Sequence, residues 1–168
     1  MIRLEVYSHR NFDEIVKRMG LNDNNVEDKK DTAFISIIGT DECIKTYLKE
    51  DGTKHYFNVN HSNVLNLEFD DLEEDMMWKG HQFKTITQEQ IGETLSFIDS
   101  CIKNGVTRII LHCRAGISRS RAIAEAIAQI YENEHEIDYS ERNEYIPVLN
   151  QGVLRKIKQY IREQNEEV

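Results

Sequence analysis

Residues 107–121 have the sequence TRIILHCRAGISRSR, in which a strand, a tight loop and a helix are predicted to follow one another directly. Residues 107–112 form a β-branched and apolar run, which is the composition of a strand buried on both faces. Cys113 ends this strand, and the segment from Arg119 onward consists mostly of strong helix formers. The loop is therefore bounded by a thiol at one end and a guanidinium at the other.

This loop has the residue types of a phosphate-binding site that carries its own nucleophile. Backbone N–H groups in a short loop before a helix converge on an anion, and the helix dipole adds positive potential there. Gly116 permits backbone angles that a side chain would obstruct, and Arg119 can hold two phosphate oxygens. In such a field the pKa of a thiol falls, so Cys113 is predicted to be a thiolate that attacks phosphorus. The residues predicted to bind phosphate are Arg114, Ala115, Gly116, Ile117, Ser118 and Arg119.

Two neighbours of the loop receive supporting roles. Ser120 can donate a hydrogen bond to the sulfur of Cys113 and so help it leave again as a thiolate. His112 is interpreted as an orienting residue beneath the loop and not as a base, because a preformed thiolate needs none. The alternative for the whole segment is a buried structural cysteine followed by an ordinary basic helix start.

The sequence HCRAGISRS, residues 112–120, resembles the signature loop of the cysteine-dependent protein phosphatases, His-Cys-(x)5-Arg-Ser/Thr, and within them the dual-specificity branch. The matching residues are His112, Cys113, Ala115, Gly116, Ser118, Arg119 and Ser120. The resemblance covers this loop strongly, residues 64–131 moderately, and the N-terminal third only as a compatible pattern. It implies a protein tyrosine phosphatase-like fold, a phosphocysteine intermediate, and neither a metal nor another cofactor.

The order of predicted elements also favours an α/β fold with a mostly parallel central sheet and helices on both faces. Strands are predicted at residues 1–6, 32–38, 64–69 and 107–112, and helices at about 9–20, 39–50, 87–104, 119–133 and 151–164. Residues 55–63 are ambiguous, residues 72–85 are predicted to be a long loop, and residues 135–144 a polar connection. A length of 168 residues suits one catalytic domain spanning residues 1–168.

A carboxylic acid is expected beside the cysteine. If the strand at 64–69 and the strand before Cys113 are joined by a crossover helix, both end at the same edge of the sheet. The dual-specificity phosphatases place an aspartate after this strand, where it protonates the departing oxygen and then activates water. The segment LEFDD resembles that region. The alternation of the strand favours Asp71 as this acid, with Asp70 as the runner-up.

Composition narrows the possible partners and compartments. A net charge of −9 argues against a nucleic-acid partner or an anionic membrane surface, because both need clustered basic residues. The sequence shows no apolar run long enough to span a bilayer and no signal peptide. Three cysteines, Cys43, Cys101 and Cys113, do not suit a disulfide scaffold and fit a reducing compartment. A cytoplasmic monomer is therefore expected.

Several other residues receive weaker predictions. Arg114 and Arg121 are placed on the rim of the site or among ordinary solvated arginines. Trp78 is predicted to be either a lid residue or an anchor for its loop. Asn150 lies in a segment that resembles the start of the last helix of the phosphatase family, which implies packing near the loop. Cys101 is predicted to pack and not to react.

The predicted activity is hydrolysis of phosphotyrosine in a phosphoprotein or phosphopeptide, with phosphoserine and phosphothreonine as further candidate substrates. One alternative keeps the fold and changes the substrate to a phosphoinositide or an RNA 5′-phosphate. The segment CRAGISR lacks the lysines that such relatives tend to carry, and the net charge does not suit RNA. Another alternative is a non-catalytic module that binds phosphopeptides. Loss of the nucleophile usually marks such a module, and Cys113 is present.

Overall fold

The computed structural model describes residues 2–40, 54–131, 135–139 and 149–166. Cys43 and most of the helix predicted at 39–50 lie outside these ranges. The strands are β1 (Ile2–Ser8), β2 (Thr32–Ile38), β3 (Val64–Glu68), β4 (Met76–Trp78), β5 (His81–Phe83), β6 (Arg108–Cys113) and β7 (His135–Tyr139). The helices are α1 (His9–Arg18), α2 (Gln88–Lys103), α3 (Arg119–Ile130) and α4 (Gln151–Glu166), with a 3-10 turn at Val26–Asp28.

Five strands form one sheet in the order β3-β2-β6-β1-β7, and each neighbouring pair is parallel. Every residue of β2 is buried and so are five of the six residues of β6, which explains their nearly uninterrupted apolar sequences. The predicted α/β fold is confirmed. β3 and β6 are separated by β2, but all three run in one direction, so their carboxyl ends share one edge of the sheet.

Alternate residues of each strand face two different hydrophobic clusters. Ile109 and Leu111 of β6 belong to the larger cluster, which also contains residues of α2, α3 and α4. Ile110 belongs to the smaller cluster, with Phe12 and Val16 of α1. Helices therefore cover both faces of the sheet. Because of the same alternation, the last two residues of β6 face opposite sides of the sheet.

Local signals set the helix starts. The Ser8 side chain accepts a hydrogen bond from the backbone N–H of Asn11 and caps α1. Thr87 and Gln90 form a reciprocal capping box at the start of α2, as the sequence predicts. Both caps hold helices that connect strands of the sheet, so they help to fix the crossovers that bring the strand ends together.

Two predictions about connections were wrong. Residues 135–139 form β7, a strand parallel to β1, where the sequence indicated a polar connection. β7 lies at the edge of the sheet, where a strand needs to be covered on only one face and can therefore contain many polar residues. Its Ile137 packs on the larger cluster. Residues 76–83 form an antiparallel hairpin, β4–β5, inside the predicted long loop.

None of the helices in the described ranges is long and apolar enough to cross a membrane.

Candidate active site

The loop between β6 and α3 packs tightly against the end of β1. Gly116 has a φ of 70°, and a Cβ atom there would lie 2.5 Å from the carbonyl carbon of Tyr7 and 2.6 Å from the nitrogen of Ser8. The backbone N–H of His9 donates a 3.1 Å hydrogen bond to the carbonyl of Arg114. Glycine is therefore required at position 116 for two reasons, the backbone angle and the close approach of β1.

Cys113 lies at the base of this loop and is 2% exposed. Burial alone would raise the pKa of its thiol. The positive charge of Arg119, the 3.1 Å hydrogen bond donated by the Ser120 hydroxyl, and the backbone N–H groups of Ser120 and Ser118 outweigh burial and lower that pKa below its usual value. These groups favour the thiolate form of Cys113.

Arg119 lies in the first turn of α3 and is 7% exposed. Its Nη1 donates a 2.7 Å hydrogen bond to the carbonyl of Phe69, just beyond the end of β3. Its buried Nε has no hydrogen-bond acceptor among the described residues. Because an unpaired buried donor is costly, this nitrogen is suited to an oxyanion bound over the loop.

The two candidate acids have different surroundings. Asp71 is exposed, and its Oδ1 accepts hydrogen bonds of 2.7 Å from the Ser118 hydroxyl and 2.8 Å from the Asn150 amide. Asp70 is 5% exposed, and its carboxylate accepts the backbone N–H groups of Thr40 at 3.2 Å and Lys84 at 2.9 Å. The structure thus brings Asp71 to the loop and places Asp70 in the scaffold beneath it.

The start of α4 holds the segment that carries Asp71. The Asn150 amide also donates to the carbonyl of Leu72 at 3.2 Å, and its carbonyl oxygen caps α4 by accepting the N–H of Val153 at 3.0 Å. A Cβ at Gly152 would lie 2.5 Å from the Cα of Glu73. The segment and the helix therefore touch backbone to backbone. The sequence predicted only packing for Asn150, yet its amide contacts the candidate acid directly.

Ion pairs extend this contact along α4. Glu74 lies 2.8 Å from the guanidinium of Arg155 and 3.5 Å from the ammonium group of Lys156. The carboxylate of Glu74 is 71% exposed, so each pair contributes little by itself. Together they connect the segment that carries Asp71 to α4 at a second place, about one helical turn beyond Asn150.

His112 points to the face of the sheet opposite Cys113. It is fully buried, and its ring packs 4.2 Å from the ring of Phe12 in α1. Burial lowers the pKa of His112 well below its usual value, and nearby positive charge on His9 adds to the effect, so the ring is neutral. It lies directly before the loop and can orient its neighbours by hydrogen bonding, and the orienting role expected from the sequence stays a prediction.

The other loop residues and arginines divide into two groups. Arg114 and Ala115 are exposed and Ile117 is half-buried, and all three lie in the loop as the sequence places them. Arg121 is 7% exposed, and its Nε donates to the carbonyl of Gly116 at 3.3 Å. The expectation of a rim or solvated Arg121 was therefore wrong: α3 directs this side chain inward, where it braces the loop.

The remaining candidates lie in other surroundings. Cys101 is buried in α2, and burial raises the pKa of its thiol to about 11, in line with a packing role. Trp78 is 45% exposed in β4, with the Lys79 ammonium 4.7 Å from its ring centre. No group of three or more His, Cys, Asp or Glu side chains in the described part of the chain could hold a metal ion.

The site therefore combines a thiol with a lowered pKa, an arginine whose buried Nε has no acceptor among the described residues, the backbone N–H groups of Ser118 and Ser120, and an exposed carboxylate. Such a set can bind a phosphate monoester, attack its phosphorus and exchange a proton with the departing oxygen.

No model of a known protein family matches the chain, and no curated protein matches it. Among solved structures, the crystal structure of human tyrosine phosphatase-like serine/threonine/tyrosine-interacting protein is similar to it, with 20% sequence identity and a TM-score of 0.45. The match covers 83% of this chain and 83% of that chain.

Proposed function

We propose that this chain is a cysteine-dependent phosphatase that hydrolyses phosphotyrosine in proteins or peptides, and that its exposed acid also admits phosphoserine and phosphothreonine. The observation that carries the proposal is the environment of Cys113, where Arg119 and the Ser120 hydroxyl lower the pKa of the thiol although the residue is buried. Cys101 is also buried and lacks such partners among the residues that the structure describes, and the pKa of its thiol is raised.

In the first step the thiolate of Cys113 attacks phosphorus, so that a sulfur–phosphorus bond forms and the bond to the ester oxygen breaks. Asp71 gives its proton to that departing oxygen. Arg119 and the loop N–H groups bind the three remaining phosphoryl oxygens, whose charge is greatest in the transition state. The products of this step are the dephosphorylated hydroxyl group of the substrate and phosphocysteine.

In the second step water attacks the phosphocysteine. The Asp71 carboxylate, now without its proton, takes one from the water, and inorganic phosphate leaves as the sulfur–phosphorus bond breaks. The sulfur departs as a thiolate, which the Ser120 hydroxyl stabilises through its hydrogen bond. The cycle returns every group to its starting protonation state and requires no cofactor.

Parallel assays of a phosphotyrosine peptide, a phosphothreonine peptide, a phosphoinositide and a 5′-triphosphorylated RNA test this proposal. We expect the phosphotyrosine peptide to be the best substrate and Cys113→Ser to abolish its turnover while retaining phosphopeptide binding. Preferential hydrolysis of the phosphoinositide or of the RNA would mean that this molecule, and not a phosphoprotein, is the substrate. Binding of phosphopeptide without turnover by the wild-type chain would make it a non-catalytic binding module.

A further inference from the structure

A chain of polar side chains runs from the base of the loop to the surface. Nε2 of His112 lies 2.7 Å from the hydroxyl of Ser36, and that hydroxyl lies 2.6 Å from Nδ1 of His55. Nε2 of His55 lies 3.7 Å from Glu68, whose side chain is 61% exposed. At the inner end, Nδ1 of His112 lies 3.4 Å from the carbonyl oxygen of Cys113. Ser36 and His55 have no part in the reaction steps above.

The register of the parallel sheet brings these groups together. Ser36 of β2 pairs with His112 of β6, and Ile38 of β2 pairs with Glu68 of β3. Because side chains alternate, the serine, the histidine and the glutamate share the face of the sheet that α1 covers. His55 precedes β3 and completes the row on that face.

The single hydrogen of the Ser36 hydroxyl couples the two imidazole rings. His112 is neutral, so its Nδ1 can donate to the carbonyl of Cys113 only if its Nε2 accepts. Ser36 must then donate to His112, and it is free to accept a hydrogen bond from Nδ1 of His55. Glu68 lies beyond hydrogen-bonding distance of Nε2, so it places no demand on a hydrogen there. The three hydrogen bonds are satisfied together when Nδ1 of His55 carries a hydrogen.

A His55 without a hydrogen on Nδ1 would reverse the chain. Its Nδ1 would accept from Ser36, and Ser36 would in turn accept from Nε2 of His112. Nδ1 of His112 is left with a lone pair that faces the lone pairs of the Cys113 carbonyl. This arrangement loses the inner contact and brings two buried acceptors together.

We propose that Ser36 and His55 are positioning residues: a hydrogen on Nδ1 of His55 sets, through Ser36, the tautomer of His112 that holds the carbonyl of Cys113. In a trans peptide the C=O and the next N–H point in opposite directions, so this contact directs the N–H of Arg114 away from His112. That N–H is the first one of the phosphate-binding loop. The inference rests on the proposed function because it assigns the network a role in readying that loop.

Other charged and titratable groups also face this network. The ring of His9 lies 5.0 Å from the ring of His112, and Nε2 of His9 lies 3.5 Å from Asp13 on the same helix. The positive charge of Arg119 in α3 also disfavours a positive charge on His112. Burial is the largest cause of the lowered pKa of His112 and keeps the ring neutral, which leaves its tautomer as the variable that Ser36 and His55 control.

The tautomer of His112 can be measured by nitrogen NMR of the imidazole groups in the full chain. In the wild type we expect the Nδ1–H tautomer of His112, because the Ser36 hydroxyl donates to its Nε2. In Ser36→Ala that donor is lost, and the Nε2–H tautomer should become populated.

A second readout is the rate at which iodoacetate alkylates Cys113 as a function of pH. Ser36→Ala and His55→Gln should slow it about three- to tenfold near neutral pH, the effect of losing one hydrogen bond of ordinary net strength. His61→Gln is the matched control, because His61 lies in the same segment but contacts Asp23 at 2.9 Å. That variant should react like the wild type.

A His112 tautomer that is the same in the wild type and in Ser36→Ala would overturn the inference. So would alkylation rates that are equal in the wild type, Ser36→Ala and His55→Gln. Neither readout requires turnover, so both are separate from the proposed function, which fails if the wild type does not hydrolyse any phosphate monoester.

Discussion

The hydroxyl of Ser118 donates a 2.7 Å hydrogen bond to Oδ1 of Asp71, across 47 residues of sequence. This contact joins the phosphate-binding loop to the segment after β3. It exists because β3 and β6 are parallel and end at the same edge of the sheet. The candidate acid is therefore positioned by the loop whose bound substrate it would protonate.

Exchange of each candidate acid for its amide tests the choice between them. Asp71→Asn should lower kcat about 10²- to 10³-fold, because the proton donor for the departing oxygen is lost. Asp70→Asn should mainly lower the free energy of unfolding, by about 1–3 kcal/mol, because an amide group would face backbone N–H donors. Steady-state kinetics and thermal unfolding of both variants separate these effects. If Asp70→Asn had the large kinetic defect and Asp71→Asn did not, Asp70 would be the acid.

Asn150→Ser tests whether α4 positions the acid. Serine retains the cap of the helix but is too short to keep the hydrogen bond to Asp71, so kcat should fall about three- to tenfold. The free energy of unfolding should change by less than about 0.5 kcal/mol. Gln159→Ala, on the same helix and away from Asp71, serves as the control. A kcat equal in both variants would mean that Asn150 only caps the helix.

The sequence predicted Cys113 at the end of a strand, the loop and the helix after it because their signals are local: a buried strand, a glycine and a helix-forming run within fifteen residues. It could not decide between Asp70 and Asp71 as the carboxylate beside the loop. β3 ends at Glu68, and the backbone N–H of Asp70 donates to the carbonyl of Lys84 in the hairpin segment. Strand alternation therefore does not extend to Asp71, and contacts made by distant residues decide which aspartate faces the loop.

The elements and contacts that the sequence did not predict have only weak local signals. β7 mixes apolar and charged residues, as edge strands do, and a polar connection has the same composition. The hairpin turn uses Lys79 and Gly80, both at positive φ, and a lysine at such a position gives no turn signal. Ser36 and His55 meet only through the register of the sheet, which no short segment of sequence specifies. Arg121 follows Arg119 by two positions, and its burial depends on how α3 packs.

The two described cysteines offer an internal comparison of thiol pKa values. The pKa of Cys113 lies below its ordinary value and that of Cys101 is about 11. As the pH falls from 9 to 6, Cys113 should therefore keep reacting with iodoacetate, while Cys101 should not be modified. Mass spectrometry of peptides identifies the modified residue. Equal modification of the two cysteines at each pH would contradict the shift at Cys113, and protection by inorganic phosphate should be specific to Cys113.

Two glycines at positive φ separate backbone strain from steric overlap. Gly116→Ala should abolish activity, because its new Cβ would overlap the backbone of β1. Gly105 has a φ of 82° and no atom within 4 Å of a Cβ, so Gly105→Ala should cost only about 1–2 kcal/mol of stability and leave kcat unchanged. Activity and thermal unfolding of both variants make the comparison. Equal loss of activity in the two would mean that the backbone angle alone matters at Gly116.

The proposed mechanism passes through a covalent phosphocysteine, which Ser120→Ala makes observable. Without the hydroxyl that stabilises the departing thiolate, hydrolysis of phosphocysteine should become slower than its formation. Rapid acid quenching of this variant during turnover, followed by mass spectrometry, should reveal one phosphoryl group, on the peptide that contains Cys113. Turnover of substrate by Ser120→Ala without a phosphorylated cysteine at any time would contradict the mechanism.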